Sequence, residues 1–344
     1  MSSLQRLALG TCALGRAIDG DGLPLDGGPA LRGRMVPLQP RSPRPNERVA
    51  IATPLWTGIR VIDGLLTIGR GARIGVFGAP GAGKSTLLES IVDGCAADAV
   101  VALVGERGRE ANEWIGRCND RATIVCATSD RPAADRLRSA RVAFAQAAAL
   151  RERGLHVLLL LDSLARTAAA LREIAVATGE SAGRGGFPPS VFAQLAQLVE
   201  VAGAIADGSI TLIATIIHDG DDRDPVSEAA RALLDGHIAL ALRLAEAGRF
   251  PAVDVPASAS RTMDAVAQPC HRRAAALVRR ALAILDRFDD ARTLGIEPVA
   301  RDAAVAVAAE QRIEAFVRQD RRPAPSATTL GELEAIAELL AANR

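Results

Sequence analysis

The sequence predicts an α/β fold with a mostly parallel sheet, followed by a helical domain. A glycine-rich segment, Gly78–Ser85, lies between a short apolar run and a helical stretch. Apolar runs then alternate with helical stretches through the middle of the chain, which is typical of a parallel sheet covered on both faces. After about residue 265 only helical stretches follow.

The first fifty residues are rich in turn signals, among them Asp19-Gly20, Asp26-Gly27 and four prolines between Pro37 and Pro45. Turn-forming residues at this density disfavour long helices and strands. We therefore expect a few short strands and an extended linker in residues 1–50. Residues 53–71 then lead into the glycine-rich segment.

The segment Gly78-Ala79-Pro80-Gly81-Ala82-Gly83-Lys84-Ser85 has the spacing of a phosphate-binding loop, G-x-x-x-x-G-K-[ST]. Residues 73–78 before it predict a buried strand, and residues 86–92 after it predict a helix. Glycines allow backbone N–H groups to converge on a polyphosphate, and the helix N-terminus adds partial positive charge. In such a loop Lys84 contacts the β- and γ-phosphates and Ser85 is a Mg²⁺ ligand.

Lysine usage supports this interpretation. Lys84 is the only lysine in the chain, and all other basic residues among the 41 are arginine. A lysine ammonium is compact, whereas a guanidinium is broad and planar. The use of the single lysine at this position therefore supports a phosphate-binding loop. The alternative is a chance glycine-rich turn, which the flanking strand and helix disfavour.

Four apolar runs predict buried strands, and intervening stretches predict helices. The strands are predicted at 99–104, 123–127, 155–161 and 209–217, and the helices at 133–153, 190–206, 271–289, 299–318 and 329–342. In the first of these helices the apolar side is expected to contain Leu137, Val142, Ala145 and Ala149, with arginines clustered on the other side. In a parallel sheet ligands bind at the carboxyl ends of the strands, where we expect Gly78, Glu106 and Asp162 to lie.

Two acids follow predicted strands. Asp162 could hold the water shell of a Mg²⁺ ion opposite Ser85, although an apolar run ending in aspartate is a weak pattern alone. Glu106 could polarise a water for attack on the γ-phosphate, with Arg107 orienting it or touching phosphate. A solvated charged turn is the alternative for Glu106, and Glu110 is equally well explained as a helix-start acid.

Composition argues against other classes of function. The net charge is +1, aromatic residues make up 3% of the chain and tyrosine is absent, so nucleic acid is not the expected main partner. The five cysteines show no CxxC pairing, which suggests reduced thiols in a cytosolic compartment. The first twenty residues lack the features of a signal peptide, and the apolar runs are too short to span a bilayer.

Several motifs together resemble the type III secretion ATPases, the injectisome and flagellar export enzymes related to the catalytic subunit of rotary ATP synthase. The resemblance covers nearly the whole chain and implies a RecA-like P-loop NTPase core over 51–264, a C-terminal helical domain over 265–344 and a remnant of an N-terminal barrel in 1–50. The motifs that carry it are Leu14-Gly15-Arg16, Gly105–Glu110, Asp162–Arg166, Phe187–Phe192, Gly220–Asp222, Asp224-Pro225, Leu234–Ile238 and Pro251–Asp254.

The resemblance also implies roles for individual residues. Glu106 corresponds to the catalytic carboxylate, and Asp162 assists the metal through water together with Ser85. Phe250 matches an aromatic residue that stacks on adenine, although the residues alone favour a core position. The phosphate-binding residues would be Gly78, Pro80, Gly81, Ala82, Gly83, Lys84, Ser85 and Thr86, Arg107 and Arg166 would support the phosphate and the carboxylate, and Arg261 would be an arginine finger that reaches a neighbouring subunit.

By the same resemblance, the chain is expected to hydrolyse ATP with Mg²⁺ as a homohexamer at the cytosolic face of the inner membrane. Its expected partners are a central stalk protein, a stator-like regulator, chaperone–effector complexes and the inner-membrane export gate. The overall sequence of these motifs favours the injectisome over the flagellar system. The alternatives are a non-catalytic nucleotide-binding ring subunit and an RNA translocase.

Three features depart from the family pattern. Most of the N-terminal barrel is missing, so we expect a trimmed or short variant. Relatives usually have phenylalanine where Thr167 follows Arg166. The glycine-rich stretch 179–186 is expected to be a mobile loop facing the channel of a ring, or else a plain connection.

Overall fold

In the computed structural model, residues 5–217, 224–293 and 300–342 are described. The chain forms two compact units, each assembled from three stretches of sequence. The first unit contains Met1–Ile51, Arg70–Phe77 and Ala97–Asp235, and the second contains Ala52–Gly69, Gly78–Ala96 and Gly236–Arg344. The domain boundaries expected near residues 50 and 264 stay a prediction.

The first unit contains most of the strands, numbered here in chain order. Its strands are β1 (Arg6–Ala8), β2 (Arg16–Ile18), β3 (Met35–Pro37), β6 (Arg73–Gly78, whose last residue begins the second unit), β7 (Asp98–Glu106), β8 (Ala122–Thr128), β9 (His156–Asp162), β10 (Gly203–Ile205) and β11 (Gly208–Ile217). Its helices are α3 (Gly108–Gly116), α4 (Ala133–Arg151), α5 (Leu164–Ala177), α6 (Pro189–Val199) and α7 (Pro225–Leu233).

A sheet with the order β6-β11-β9-β7-β8-β2 forms the centre of this unit. Neighbouring strands from β11 to β2 run parallel, and β10 pairs with β11 in the antiparallel direction. Residues 157–161 of β9 are fully buried, as expected of a strand covered on both faces. The predicted α/β class with a mostly parallel sheet is confirmed.

Helix α4 is buried more completely than its sequence pattern predicts. Leu137, Val142, Ala145 and Ala149 are buried as expected, but so are nearly all other residues from 139 to 151. The helix packs against strands β7, β8 and β9 and also against α5 and β3. Because eight of its nineteen residues are alanine, neighbouring elements can approach the helix closely on several sides.

The helix predicted over 190–206 is too long. Helix α6 ends at Val199, and β10 and β11 form a hairpin directly afterwards. Gly203 has φ 138°, a conformation that a right-handed helix cannot contain. The apolar pattern of residues 199–206 therefore belongs to a hairpin and not to a helix.

The second unit is mainly helical. Its strands are β4 (Pro54–Leu55), β5 (Ile68–Gly69), β12 (Gly236–Leu240) and β13 (Val253–Ser260), and its helices are α1 (Arg60–Leu65), α2 (Lys84–Gly94), α8 (Leu242–Glu246), α9 (Met263–Val266), α10 (Pro269–Thr293), α11 (Arg301–Val317) and α12 (Ser326–Ala342). Strands β12 and β13 pair antiparallel, as do β4 and β5.

Helices α10, α11 and α12 pack against one another and against α1. Gly64 of α1 makes this packing close: a side chain there would collide with the ring of Phe316, and its carbonyl accepts a hydrogen bond of 2.8 Å from His271 Nε2. Among the described residues, no helix combines the length and the apolar character needed to cross a membrane.

Candidate active site

The phosphate-loop sequence follows β6 and opens α2, as predicted. Gly81 and Gly83 have φ values of 85° and 90°, which residues with side chains adopt only under strain. Lys84 Nζ donates to the carbonyl oxygens of Gly78 and Ala79 at 2.8 and 2.7 Å. The ammonium group therefore lies over the start of the loop.

The first turn of α2 contains Lys84, Ser85 and Thr86 and no acidic residue. Backbone N–H groups at the start of a helix, together with the helix dipole, favour a bound anion. Ser85 is exposed, and Ala82 is buried at the base of the loop. The chemistry of this turn suits phosphate.

A cavity of about 450 Å³ adjoins the loop within the second unit. Its size is that of ordinary small-molecule sites, and its lining is mostly apolar. Phe250, with 49% of its surface exposed, forms part of the wall next to Pro251. The lining residues are Ile59, Gly83, Thr86, Leu87, Ser90, Phe250, Pro251, Ala252, Gln319, Asp320 and Arg321.

The exposed side chain of Phe250 contradicts the core position that the residues alone favoured for it. The segment Gln319–Arg321, by contrast, was not predicted as part of any site. Its sequence carries no binding motif, and only the fold brings it to this wall.

Two buried carboxyl groups lie at one edge of the sheet in the first unit. Glu106 is the last residue of β7 and Asp162 the last residue of β9, and they are 6% and 7% exposed. The two strands are parallel neighbours, with Leu103 paired to Asp162. The expectation that these acids lie at adjacent strand ends agrees with this geometry.

Arg166, in the first turn of α5, holds Glu106. Its guanidinium forms an ion pair with the Glu106 carboxylate and donates to the Gly105 carbonyl oxygen at 2.8 Å. The turn itself is fixed by Ser163, whose hydroxyl accepts a hydrogen bond from the Arg166 N–H. Thr215 on β11 donates its hydroxyl to Asp162 at 2.5 Å, a partner that the sequence did not reveal.

Burial raises the pKa of Glu106 to about 7, and a hydrogen bond with Glu110 and the charge of Asp162 add to this rise. The Arg166 guanidinium opposes it by stabilising the ionised form. A carboxyl group with such a pKa can take up and release a proton near neutral pH. Glu110 thus interacts with the candidate base.

The remaining predicted residues lie at the surface. Arg107 is exposed and precedes α3 in the first unit, and Arg261 is exposed after β13 in the second unit. An exposed arginine is available to a partner, as the finger role would require. The motif Gly220–Asp222 lies outside the described residues.

The glycine-rich stretch 179–186 is anchored at its C-terminal end within the first unit. Arg184 pairs with Glu228 of α7 at 2.7 Å, and the Arg172 guanidinium lies 5.4 Å from the centre of the Phe187 ring. Gly185 has φ 63°, and a side chain there would collide with Pro225. These contacts tie the end of the stretch to α5 and α7.

Known proteins resemble this chain over most of its length. The nucleotide-binding domain of the ATP synthase alpha/beta family matches residues 58–260. A type 3 secretion system ATPase of Sinorhizobium fredii is 49% identical over 288 residues, which are 81% of this chain and 64% of that protein. A flagellum-specific ATP synthase of Salmonella typhimurium is 42% identical over 93% of this chain and 73% of that protein.

A solved structure shares the fold. The assembled ATPase EscN from the type III secretion system of enteropathogenic E. coli gives a TM-score of 0.91 at 39% identity, over 96% of this chain and 83% of that chain. EscN has also been solved in complex with its central stalk EscO. The chain therefore belongs to the ATP synthase alpha/beta family and, within it, to the type 3 secretion system ATPases.

Proposed function

We propose that this chain hydrolyses ATP to power type III protein export in an injectisome. The buried Glu106 carboxyl group, with its pKa raised to about 7 and Arg166 at its side, carries this proposal. A subunit that binds nucleotide only as a structural element has no need of such a group. Membership of the type 3 secretion ATPases supports the same conclusion.

ATP would bind with its phosphates on the loop and its base in the neighbouring cavity. The backbone N–H groups of residues 78–86 and the Lys84 ammonium would hold the phosphates. Phe250 would stack on adenine, for which its exposed ring and the cavity volume of about 450 Å³ are suitable.

Ser85 and Asp162 would hold Mg²⁺, Asp162 through water. A hydroxyl and a carboxylate are the oxygen donors that this hard cation prefers, so the residues fit the ion. When bound, Mg²⁺ neutralises negative charge on the β- and γ-phosphates. Thr215 would fix the orientation of the Asp162 carboxylate.

Glu106 would orient the attacking water and accept its proton as the water oxygen bonds to the γ-phosphorus. The bond from that phosphorus to the bridging oxygen breaks, and ADP leaves with the electron pair. Arg166 holds the Glu106 carboxylate in place, and Arg107 would contact the phosphate or the carboxylate.

The active form would be a homohexamer at the cytosolic face of the inner membrane. Arg261 would complete the site of a neighbouring subunit, as arginine fingers do in phosphoryl transfer. The assembled state and stalk complex of EscN support a ring with a central stalk partner. A stator-like regulator, chaperone–effector complexes and the export gate complete the proposed set of partners.

Two variants test the proposal. Lys84→Ala should abolish both nucleotide binding and phosphate release, because the ammonium contacts the phosphates. Glu106→Gln should retain binding and lose turnover by about 10²–10⁴-fold, the usual contribution of a general base. Fluorescent-nucleotide binding and phosphate release measure the two steps, and normal turnover in either variant contradicts the proposed site.

Flagellar export is the second candidate, favoured by the 42% identity to the Salmonella flagellar relative. Complementation separates the two systems. The chain, expressed in strains that lack the injectisome ATPase or the flagellar ATPase, should restore effector secretion and not motility. Restored motility alone would favour the flagellar system.

A further inference from the structure

Gln319 lies where three segments of the second unit meet. Its backbone N–H donates to the Phe250 carbonyl oxygen at 2.8 Å. Its side-chain oxygen accepts from the Arg60 N–H at 2.8 Å, and its side-chain nitrogen donates to the Gly58 carbonyl oxygen at 2.7 Å. One residue thus joins the loop before α1, the start of α1 and the segment containing Phe250.

The Gln319 amide serves as a cap supplied from far along the chain. Arg60 is the first residue of α1, whose first N–H groups have no partner inside the helix. The residue before it, Ile59, has no side chain that could accept a hydrogen bond, and Gln319 supplies the acceptor from 259 residues away. The amide also donates to the Arg322 carbonyl oxygen at 2.7 Å.

The 319–324 segment is held closely against the loop at Gly58. The Ala324 N–H donates to the Gly58 carbonyl oxygen at 2.8 Å, beside the bond from Gln319. Gly58 has φ 76°, and a side chain there would collide with Pro323. The Asp63 carboxylate fixes the same loop by accepting hydrogen bonds from the N–H groups of Thr57 and Gly58, each at 2.9 Å.

The first three residues of this segment form one wall of the cavity beside the phosphate loop. Phe250 forms another wall, and residues of α2 form a third. Arg321 pairs with Glu89 of α2 at 3.2 Å, which ties this wall to α2. The Gln319 side chain thus ties this wall to the loop at Gly58 and to the start of α1, and the Gln319 backbone N–H ties it to the Phe250 wall.

We propose that Gln319 is a positioning residue for the nucleoside of the bound nucleotide. Its side-chain amide fixes the 319–324 segment against Gly58 and the start of α1. The segment in turn holds the Phe250 carbonyl through the Gln319 backbone N–H, so the base meets a cavity of set width. This inference rests on the proposed function, because it takes the cavity to be the nucleoside site. The residue acts on affinity for the nucleoside and not on the phosphoryl transfer step.

Replacing the amide by a side chain of similar length tests the inference. In Gln319→Met the three side-chain hydrogen bonds are lost while most of the volume remains. We expect the Kd for ATP to rise about tenfold, which is equivalent to about 1.4 kcal/mol. KM should rise by a similar factor, while kcat stays within about twofold of the wild-type value. Gln311→Ala, at an exposed position of α11, is the matched control and should bind as the wild type does.

Binding of inorganic tripolyphosphate shows whether the variant has lost affinity for the nucleoside alone or for the whole nucleotide site. Tripolyphosphate occupies the loop without filling the nucleoside cavity, so its Kd, measured by competition with a fluorescent ATP analogue, should stay within about twofold in Gln319→Met. An equal loss of affinity for ATP and tripolyphosphate overturns the inference, as does unchanged ATP affinity in the variant.

Gln319→Glu provides a second test if the methionine variant fails to fold. Its carboxylate would face the carbonyl oxygens of Gly58 and Arg322, whereas the protonated carboxyl group can donate to one of them. The ratio of its ATP Kd to that of the wild type should therefore fall as the pH is lowered. A pH-independent ratio overturns the inference.

The same measurements separate this inference from the proposed function. If wild-type protein fails to bind ATP, or if Lys84→Ala binds ATP normally, the nucleotide site itself is wrong. If Lys84→Ala loses binding while Gln319→Met retains full ATP affinity, only the role of Gln319 is wrong.

Discussion

Glu106 shows how two opposed effects set the chemistry of one residue. Burial disfavours its ionised form, while the ion pair with Arg166 favours it. Burial prevails, and the pKa of Glu106 lies near 7. Its position at a strand end was predictable from the sequence, but its protonation behaviour depends on neighbours that only the fold assembles.

We expect kcat/KM for ATP to rise with pH and level off above about pH 7, since the base must be ionised before it accepts a proton. Arg166→Ala removes the stabilising cation and should shift this rise to higher pH. Asp162→Asn removes a like charge and should shift it to lower pH. Shifts in the same direction in both variants would contradict the assignment of Glu106 as the base.

His156 at the start of β9 is a half-buried histidine outside the candidate site. Burial, with a smaller effect of the Arg70 charge, lowers its pKa from 6.5 to about 4. Its Nδ1 lies 2.6 Å from the Ser209 hydroxyl oxygen, and its Nε2 has no hydrogen-bond partner within the described part of the chain. The folded state therefore favours the neutral ring.

A lowered histidine pKa makes the fold sensitive to acid. The unfolded chain binds a proton below about pH 6.5, whereas the folded chain does so only near pH 4, so stability falls as the pH drops through this window. We expect this group to cost about 2 kcal/mol of unfolding free energy between about pH 7 and pH 5. In urea titrations His156→Leu should lose less stability over that range, and an equal loss would contradict the assignment.

Among the helices, α2 and α3 both end in glycine, yet only one of the two glycines is needed for packing. A side chain at Gly94, the last residue of α2, would overlap the Thr57 carbonyl oxygen. At Gly116, the last residue of α3, a side chain meets no atom within 4 Å. The end of α2 thus lies directly on the loop that Gly58 and Asp63 shape.

We expect Gly94→Ala to lower the free energy of unfolding by about 1–3 kcal/mol, because the backbone must shift to admit the methyl group. Gly116→Ala should leave stability unchanged or raise it by up to about 1 kcal/mol, because alanine is the better helix former. Chemical denaturation compares the two, and equal effects would show that the contact with Thr57 is unimportant.

The pattern of apolar residues located most of the helices and strands, but it did not predict all of their first and last residues. The strands predicted at 99–104, 123–127 and 209–217 match β7, β8 and β11 within two residues. The pattern misjudged α6, because apolar spacing alone cannot distinguish a helix from a following hairpin. It also gave α4 a polar face, since the sequence does not reveal that helices and strands pack against several sides of it.

At the scale of the whole molecule, activity should depend on assembly. Arg261 is exposed after β13, which leaves it available to a neighbouring subunit. Arg261→Ala should retain nucleotide binding and lose about 10³–10⁵-fold in turnover, the usual contribution of an arginine finger. In the wild type, activity per subunit should rise with protein concentration.

Mixing tests this sharing of sites. Lys84→Ala protein supplies Arg261 but cannot bind nucleotide, so mixing it with Arg261→Ala protein should restore part of the activity. No restoration, together with activity per subunit that is independent of concentration, would contradict a shared site.

The linear sequence was sufficient to identify the phosphate loop, the acids at the strand ends and the family. These features are local: glycine spacing, a lone lysine and a carboxylate after an apolar run each act through adjacent residues. Their chemistry can therefore be derived before any fold is known.

Only the tertiary structure decided which groups modify those local features. Thr215 contacts Asp162 from 53 residues away, and Gln319 caps α1 from 259 residues away. The partners of Gln319 are backbone N–H and carbonyl groups, which every residue except proline carries, so no pattern of side chains marks them in advance. Burial sets the pKa of Glu106 in the same way, because it depends on how strands and helices pack and not on the order of residues along one segment.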